Sequence, residues 1–295
     1  MKILIPIDGS CFSQCSLSFL TSRCALLGKN PDVELLVVIP AVPEHLMNPD
    51  NAERYYAQEA QEILNSAHEF LEQRNISASK KFLTGQPAEK IAEEAARINA
   101  DLVIMGSHGR TAMKGLFLGS VTTGVIARTK NPILIVRNRD DRRQDNLRIG
   151  IAVDGSRYGP AAARYLVRHK ALFSPNSVFY LIYVANDYAG TQMPDMLGLP
   201  LPFFSDEEVR SLQQKDFRTA TDPVKTILKN GGIDPKEVCL VGKPGDELAN
   251  FVRRRRLDLV VVGSHGYGRF KSALMGSTTL RLLAKSNVPV LMIRH

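Results

Sequence analysis

Two stretches of the chain repeat each other, and this repeat constrains the fold more than any other feature. Residues 101–109 read DLVIMGSHG and residues 258–266 read DLVVVGSHG, a displacement of 157 positions. Near the start of each copy, ILIPIDGS and IGIAVDGS match at the smaller displacement of 146. Self-similarity on this scale indicates two units of one fold, the second with 11 extra residues after its second strand. We place the first domain at residues 1–138, a linker at 139–146 and the second domain at 147–295.

Each copy alternates short apolar strands with amphipathic helices. Strands that are apolar throughout are typical of a parallel sheet buried on both faces. Because crossovers between parallel strands are right-handed, five such strands favour a doubly wound α/β sheet of order 3-2-1-4-5 with helices on both faces. Ser10 and Ser156 follow the first strand of each copy, and we predict that each caps the next helix.

A ligand site is expected where strands 1 and 4 of each copy lie side by side. Their connections leave in opposite directions, and ligands of such sheets bind beyond the carboxyl ends of the strands at that point. These ends are Asp8 and Gly106 in the first copy, and Asp154 and Gly263 in the second. The repeated motifs therefore fall where a site is predicted.

The loop after strand 4 has the residues of a phosphate site. Glycines let backbone N–H groups approach an oxyanion, and a helix N-terminus adds unpaired donors and a positive dipole end. The hydroxyl of Ser120 or Ser277 can donate to a phosphate while capping its own helix. Asp8 and Asp154 would repel phosphate, but a carboxylate suits a ribose hydroxyl or an amino group on a base.

These residues resemble the universal stress proteins, whose nucleotide-binding members share the motif G-x2-G-x9-G-[ST]. Both copies fit it, and the resemblance covers nearly all of both copies, so the chain is identified as a tandem member of that family. Members that lack the motif are thought not to bind ATP. The resemblance implies two adenine nucleotide alpha hydrolase-like domains that bind ATP, or AMP or ADP, with or without Mg²⁺.

By position, the resemblance also implies which residues meet the nucleotide. In the first copy they are Pro6, Ile7, Asp8, Ile39, Met105, Gly106, His108, Gly109, Gly119, Ser120 and Val121. In the second copy they are Ala152, Val153, Asp154, Val184, Val262, Gly263, His265, Gly266, Gly276, Ser277, Thr278 and Thr279.

The sequence favours a binding protein over a fast enzyme. The Walker A pattern GxxxxGK[ST] is absent, and no second acidic residue is placed for Mg²⁺. We expect a stress-response regulator or protective factor whose partner is an adenine nucleotide. A slow ATPase or nucleotidyl-transfer enzyme, and an interaction scaffold with empty pockets, are the alternatives left open.

The formal charge of +8 belongs to the second half of the chain. Residues 1–138 hold 14 basic and 14 acidic residues, whereas residues 147–295 hold 21 and 13. Much of the excess is the run from Arg253 to Arg256, which we read as a solvated helix face, with an acidic partner, lipid or RNA as alternatives. We expect no nucleic-acid partner and no membrane contact. With no apolar run long enough to span a bilayer and no signal-peptide pattern, we expect a cytoplasmic protein.

Three groups of reactive side chains have two readings each. Cys11 and Cys15 are either packed thiols, which we favour, or a redox sensor at a helix start. His108 and His265 are expected to contact the nucleotide rather than a metal, so no metal site is predicted. Lys114 and Lys271 are either exposed loop residues or groups that reach a γ-phosphate.

Two features bear on assembly. The last strands, PILIVR and PVLMIR, would be apolar edges if left unpaired. The resemblance implies that they pair about a two-fold axis, which predicts a pseudo-dimer within one chain, with a homodimer of chains as a further possibility. The extra residues of the second copy fall at 187–206, and this segment could close over the second pocket, fill it or form an interface.

Overall fold

The computed structural model describes residues 1–22, 31–41, 49–109, 118–137, 146–188, 192–194, 200–202, 204–263 and 275–294. The chain divides into two compact units. The first comprises Met1–Asn146, Ala171–Asn176 and Asn287–His295, and the second comprises Leu147–Lys170 and Ser177–Ser286.

The first unit contains a parallel sheet in the predicted order. The strands of the first copy run in the order β3-β2-β1-β4-β5, which confirms the prediction of 3-2-1-4-5. In chain order its elements are β1 Lys2–Pro6, α1 Cys11–Thr21, β2 Asp32–Ile39, α2 Pro49–Glu72, β3 Ala78–Thr84, α3 Pro87–Arg97, β4 Leu102–Gly106, α4 Ser120–Arg128 and β5 Ile133–Val136.

Burial explains why the central strands are apolar without alternation. Every residue of β4 and of β5 is buried, as is β1 after its first residue. Helices cover both faces of a doubly wound sheet, so its central strands have no face in water. At the edge of the sheet, β3 exposes Ser79, Lys80, Phe82 and Thr84, so exposure alternates along the strand only from Lys80 to Thr84.

The second unit repeats this arrangement for its first four strands. They run in the order β10-β7-β6-β11, which corresponds to 3-2-1-4. The elements of the second copy are β6 Arg148–Val153, α5 Tyr158–Arg168, a 3₁₀ turn Lys170–Leu172, β7 Val178–Ala185, β8 Gln192–Pro194, β9 Pro200–Pro202, α6 Asp206–Asn230, β10 Lys236–Val241, α7 Pro244–Arg255, β11 Leu259–Gly263, α8 Ser277–Lys285 and β12 Val290–Ile293.

The last strand of the second copy pairs with the last strand of the first. Strand β12 belongs to the first compact unit, where it runs antiparallel to β5. Leu134 lies opposite Leu291, its own counterpart in the repeat, and both strands are buried along their length. The predicted pairing of PILIVR with PVLMIR is therefore confirmed, and β5 is not left as an edge.

The extra residues of the second copy lead from β7 to a well-capped helix. Strands β8 and β9 pair with each other in antiparallel fashion. Helix α6 then begins with a capping box, in which Ser205 and Glu208 exchange side-chain to backbone hydrogen bonds. At the start of the segment, the Tyr188 hydroxyl donates to Oδ2 of Asp216 on α6 over 2.6 Å.

The two predicted helix caps have different outcomes. Ser10 caps α1, with its hydroxyl oxygen accepting from the Ser13 N–H over 3.3 Å. The prediction for Ser156 is wrong, because α5 begins only at Tyr158 and Arg157 takes the N-cap position without a side-chain bond. The buried hydroxyl of Ser156 has no hydrogen-bond partner within the described residues.

Candidate functional site

A cavity of about 440 Å³ lies in the first unit, beyond the carboxyl ends of β1, β2 and β4 and beside the start of α4. This volume is within the range of small-molecule sites. The cavity is lined by Pro6, Ile7, Asp8, Ser13, Leu36, Val38, Pro40, Pro87, Ile91, Met105, Gly106, His108, Gly109, Gly119, Ser120, Val121 and Thr122.

The structure brings together ten of the eleven residues singled out in the first copy. The exception is Ile39, which is replaced in the lining by Val38. Side chains alternate across a strand, so Leu36, Val38 and Pro40 share the face toward the cavity, and Ile39 points the other way.

Some residues of the cavity wall were not predicted from the sequence. Pro87 and Ile91 come from α3, and Ser13 comes from α1. The Gly-x-Pro pattern at the start of α3 recurs in the second copy at Gly242–Pro244, so a signal for Pro87 was present. No comparable repeat marks Ser13, because the corresponding residue of the second copy is Gly159.

Asp8 is held in place by the turn that follows β1. Its Oδ1 accepts from the Ser13 hydroxyl over 2.6 Å and from the Ser10 N–H over 3.0 Å. The Asp8 N–H in turn donates to the Ser13 hydroxyl oxygen over 3.0 Å. Among the described residues of the lining, Asp8 carries the only carboxylate.

The glycines of the loop serve different packing needs. A Cβ on Gly106 would lie 2.6 Å from Cβ of Phe12 and 2.9 Å from its backbone carbonyl, so Gly106 lets α1 pack directly on β4. A Cβ on Gly109 would lie 2.7 Å from Oδ2 of Asp8. A Cβ on Gly119 would lie 3.2 Å from Cα of His108. The last two contacts surround the cavity, whereas the first belongs to the core.

Helix α4 begins at the cavity wall, where the amide groups of its first turn precede the helix ladder. Gly119 occupies the N-cap position and Ser120 is the first helical residue, so the prediction that Ser120 caps its own helix is wrong. The first intrahelical bond runs from the Thr123 N–H to the Gly119 carbonyl, which leaves three preceding N–H groups outside the helix ladder. These groups and the dipole make this end suitable for an anion.

Three hydrogen bonds fix the loop on either side of the undescribed residues 110–117. The Gly119 N–H donates to the Ser107 carbonyl over 2.8 Å. The Thr122 hydroxyl donates to the Gly106 carbonyl over 3.0 Å in a buried position. The Ser107 hydroxyl lies 3.0 Å from Nδ1 of His108, whose ring packs against Phe12 at 5.2 Å between centroids.

The second copy places its corresponding residues on the same elements. Ala152 and Val153 end β6, Asp154 follows it, Val184 lies on β7, and Val262 and Gly263 end β11. Gly276 is the N-cap of α8, whose first turn contains Ser277, Thr278 and Thr279, so the prediction that Ser277 caps its own helix is wrong as well. His265, Gly266 and Lys271 lie outside the described residues, as does Lys114 in the first copy.

The second copy lacks one anchor of the aspartate. Oδ1 of Asp154 accepts from the Ser156 N–H over 3.0 Å, as Asp8 does from Ser10, but Gly159 stands where Ser13 supplies a hydroxyl. Gly263 packs against Tyr158 as Gly106 packs against Phe12. Nearby on β7, burial raises the pKa of Tyr183 to about 12, with Asp216 and Asp154 among the charges that add to the effect.

The cysteines differ from the favoured prediction. Cys11 is exposed at the first position of α1, so the reading of both thiols as packed is wrong for it. Cys15 is half-buried on the same helix. Within the described ranges no group of three His, Cys, Asp or Glu side chains is placed to hold a metal ion.

Comparison with known proteins finds similar sequences over part or all of the chain. A universal stress protein from Mycobacterium bovis is 22% identical over 317 residues, covering 100% of this chain and 95% of that protein. One from Methanocaldococcus jannaschii is 34% identical over 90 residues, which is 30% of this chain and 56% of that protein. The solved structure of a universal stress protein from Archaeoglobus fulgidus has the same fold, with a TM-score of 0.70 and 21% identity over 100% of this chain and 96% of that chain.

None of the helices in the described part of the chain combines the length and the apolar character needed to cross a membrane.

The family description matches both repeats. Residues 1–137 and 146–294 each match the Universal stress protein family. The chain therefore belongs to the universal stress protein family and carries the domain of that family twice.

Proposed function

We propose that the first copy binds ATP or a related adenine nucleotide in the 440 Å³ cavity, and that occupancy regulates the protein. One observation carries the proposal. The cavity joins an anion-binding helix start, an anchored carboxylate and an apolar wall, which are the three environments that a phosphate chain, a ribose and a base require.

The phosphate end is the start of α4. The N–H groups of Ser120, Val121 and Thr122 precede the first bond of the helix ladder, and all three residues line the cavity. Gly109 and Gly119 leave no space that a Cβ could occupy without meeting Asp8 or His108. A phosphate chain would be held here by backbone donors rather than by a bound cation.

The sugar and base end lies between Asp8 and β2. Two hydrogen bonds hold Oδ1 of Asp8 in one orientation, which suits an acceptor that must meet a ribose hydroxyl. Leu36, Val38, Ile91 and Met105 supply an apolar surface for an aromatic base.

The second copy is proposed to bind more weakly. It keeps the aspartate, the strand-end glycine and the Gly276–Ser277 helix start. The Ser13 hydroxyl that orients Asp8 has no counterpart beside Asp154, because the corresponding residue is Gly159. A carboxylate with one fewer anchor loses more conformational freedom when it meets a ligand.

A ligand that binds only the folded state stabilises it by an amount set by its concentration and affinity. At 100 times the dissociation constant this is about 2.7 kcal/mol, enough to shift a conformational or partner equilibrium. Regulation by occupancy therefore requires no catalytic group.

The test is to denature the purified full chain and to identify and count the released small molecules by mass spectrometry. We expect adenine nucleotide at up to about one equivalent per chain, and its loss in Gly119→Val but not in the matched second-copy variant Gly276→Val. Empty protein that also fails to bind added ATP would overturn the proposal. Turnover of ATP with Mg²⁺ well above about 1 s⁻¹ would indicate an enzyme instead of a regulator.

A further inference from the structure

Five exposed arginines lie near the amino-terminal ends of β6 and β11 in the second unit. Arg148 begins β6, the three residues Arg253–Arg255 form the last turn of α7, and Arg256 follows as its C-cap in the left-handed conformation, with φ of 52°. The Arg148 guanidinium donates to the Arg255 carbonyl over 3.0 Å, which joins the strand start to the helix end. We call these five residues the arginine cluster.

The positive charges of the arginine cluster are not neutralised within the described part of the chain. Arg253 donates to the neutral amide of Asn250 over 2.7 Å, and Arg255 lies 5.9 Å from the ring centroid of Phe251. None of the five guanidinium groups forms an ion pair with a described residue. Asp258, the nearest acidic residue in sequence, is only 5% exposed, and its Oδ2 accepts from the Arg148 backbone N–H over 2.7 Å.

In the first repeat, the arginine at the corresponding helix end has acidic partners. Arg97 corresponds to Arg254, and its guanidinium pairs with Glu94 and lies 3.7 Å from Glu34. In the second repeat the positions of Glu34 and Glu94 hold Tyr180 and Phe251, whose rings pack edge to face at 5.7 Å. The second repeat thus has an aromatic pair where the first has two acidic residues, and it has three more arginines at this helix end.

Helix stability alone does not account for the cluster. A cation in the last turn of a helix gains about 0.3–1 kcal/mol from the helix dipole. In the first repeat Arg97 alone fills this role, with Ala96, Ile98 and Asn99 where the second repeat has arginine. Adjacent unpaired cations repel each other, so the extra three are expected to cost stability unless an anion binds them.

The arginine side chains of the cluster, and its lack of exposed large apolar side chains, favour a partner rich in phosphate groups. All five cations are arginine, whose planar guanidinium binds phosphate oxygens in a bidentate way. The large apolar side chains exposed among the described residues are Tyr55, Tyr56, Phe82, Val241 and Leu280, and none lies in the cluster. Membrane-surface helices and protein interfaces use apolar or aromatic anchors, whereas contact with a nucleic-acid backbone needs only cations and hydrogen-bond donors.

We propose that the arginine cluster binds the phosphodiester backbone of nucleic acid without reading its sequence. The four consecutive arginines were expected from the sequence to be a solvated helix face without a nucleic-acid partner, and they are indeed exposed. The contact of Arg148 with the helix end, and the acidic partners of Arg97 that have no counterpart in the second repeat, were not predicted from the sequence. The arginine cluster lies at the amino-terminal ends of β6 and β11, whereas both proposed nucleotide sites lie at the carboxyl ends of their strands.

The test uses the full chain and fluorescence anisotropy of labelled DNA and RNA duplexes, each in two unrelated sequences, over a series of salt concentrations. The variant R253Q/R254Q/R255Q/R256Q removes four charges from the cluster. The control R54Q/R210Q/K215Q/R218Q removes the same net charge from exposed positions on α2 and α6. Circular dichroism and thermal melting establish that both variants are folded.

We expect binding to all the duplexes at low salt, with little dependence on sequence. The cluster variant should lose at least about tenfold in affinity and flatten the log–log salt dependence by about 3 to 4, because each phosphate contact contributes roughly 0.9 to that slope. The control should change affinity by less than about threefold. The DNA and RNA arms identify which nucleic acid is preferred, and either preference supports the proposal.

Three outcomes would overturn it. Equal losses in the two variants would mean that overall charge, not the cluster, attracts the duplex. Absence of binding at low salt would exclude a backbone site. The wild-type chain could bind vesicles of phosphatidylserine but none of the duplexes, with vesicle binding abolished in the cluster variant. That result would assign the cluster to a lipid surface.

Discussion

Oδ2 of Asp8 lies 2.7 Å from the position that a Cβ on Gly109 would occupy. The loop after β4 and the turn after β1 therefore leave no room for a side chain at residue 109 while the Asp8 carboxylate keeps its position. The obstructing atom is the end of a side chain rather than backbone, so a substitution there can be relieved by moving the carboxylate.

Gly109→Ala is expected to damage the nucleotide site and to spare the fold. Displacing the Asp8 carboxylate should weaken adenine nucleotide binding by about tenfold or more, equivalent to about 1.4 kcal/mol, with little change in melting temperature. The matched variant is Gly106→Ala, whose Cβ would meet Phe12 at 2.6 Å and its backbone at 2.9 Å. That overpacking should lower stability by about 1–3 kcal/mol. Calorimetric titration and thermal melting separate the two effects, and equal stability losses in both variants would contradict this assignment.

Ser13→Ala is expected to weaken binding through Asp8. The change removes the hydrogen bond to Oδ1 of Asp8 and leaves the Asp8 N–H without its acceptor, reproducing in part the state of the second copy. We expect about a threefold to tenfold loss in nucleotide affinity and about 1–2 kcal/mol of lost stability. Ser18→Ala on the same helix is the control. An affinity unchanged by Ser13→Ala would mean that Asp8 needs no anchor.

The features predicted from the sequence are those that the repeat displays twice. Strand order follows from a pattern of strands and helices that is present in both copies. The pairing of the last strands was implied by the resemblance to the family and is confirmed by the register of β12 on β5. The cavity lining contains Val38 and not Ile39, although Ile39 was the residue singled out, because neighbouring residues of a strand lie on opposite faces.

Local hydrogen bonding was less predictable, because it depends on neighbours that differ between the copies. Asp-Gly-Ser occurs in both, and Gly9 and Gly155 have similar positive φ values of 77° and 81°. Helix α1 nevertheless begins at Cys11, whereas α5 begins at Tyr158, which corresponds to Phe12. The carboxyl pair of Glu34 and Glu94 was also missed, because it joins residues of β2 and α3 that are far apart in sequence.

That carboxyl pair predicts a pH dependence of stability. Burial, followed by a hydrogen bond to Glu94, raises the pKa of Glu34 to about 7, against the attraction of Lys81 and Arg97. The hydrogen bond from Arg97 lowers the pKa of Glu94 to about 2, assisted by Lys81. A raised pKa means that Glu34 favours the folded state below about pH 4.5 and loses this contribution as the pH rises through about 7. Glu94 has the opposite sign, and its contribution is lost as the pH falls toward about 2.

Glu34→Gln should remove the first of these dependences. Relative to wild type, the free energy of unfolding of the variant is expected to increase by about 1–3 kcal/mol between pH 4.5 and pH 8. Urea denaturation at a series of pH values measures the difference, and the exposed residue change Glu53→Gln is the control. A constant difference across this range would show that the two carboxyl groups do not share a proton.

The pairing of β5 with β12 should be essential to both stability and monodispersity. Leu291 is 2% exposed and lies opposite Leu134, so Leu291→Asp places a carboxylate at the centre of the pair without a partner of opposite charge on β5. We expect a loss of at least about 3 kcal/mol in the free energy of unfolding. If β12 detaches, β5 becomes an apolar edge strand, and such edges pair with other chains. Light scattering after gel filtration should therefore detect oligomers of Leu291→Asp but not of Leu280→Asp, whose leucine is 44% exposed on α8. Equal melting temperatures and a single monomeric species for both variants would mean that β12 is not required to cover β5.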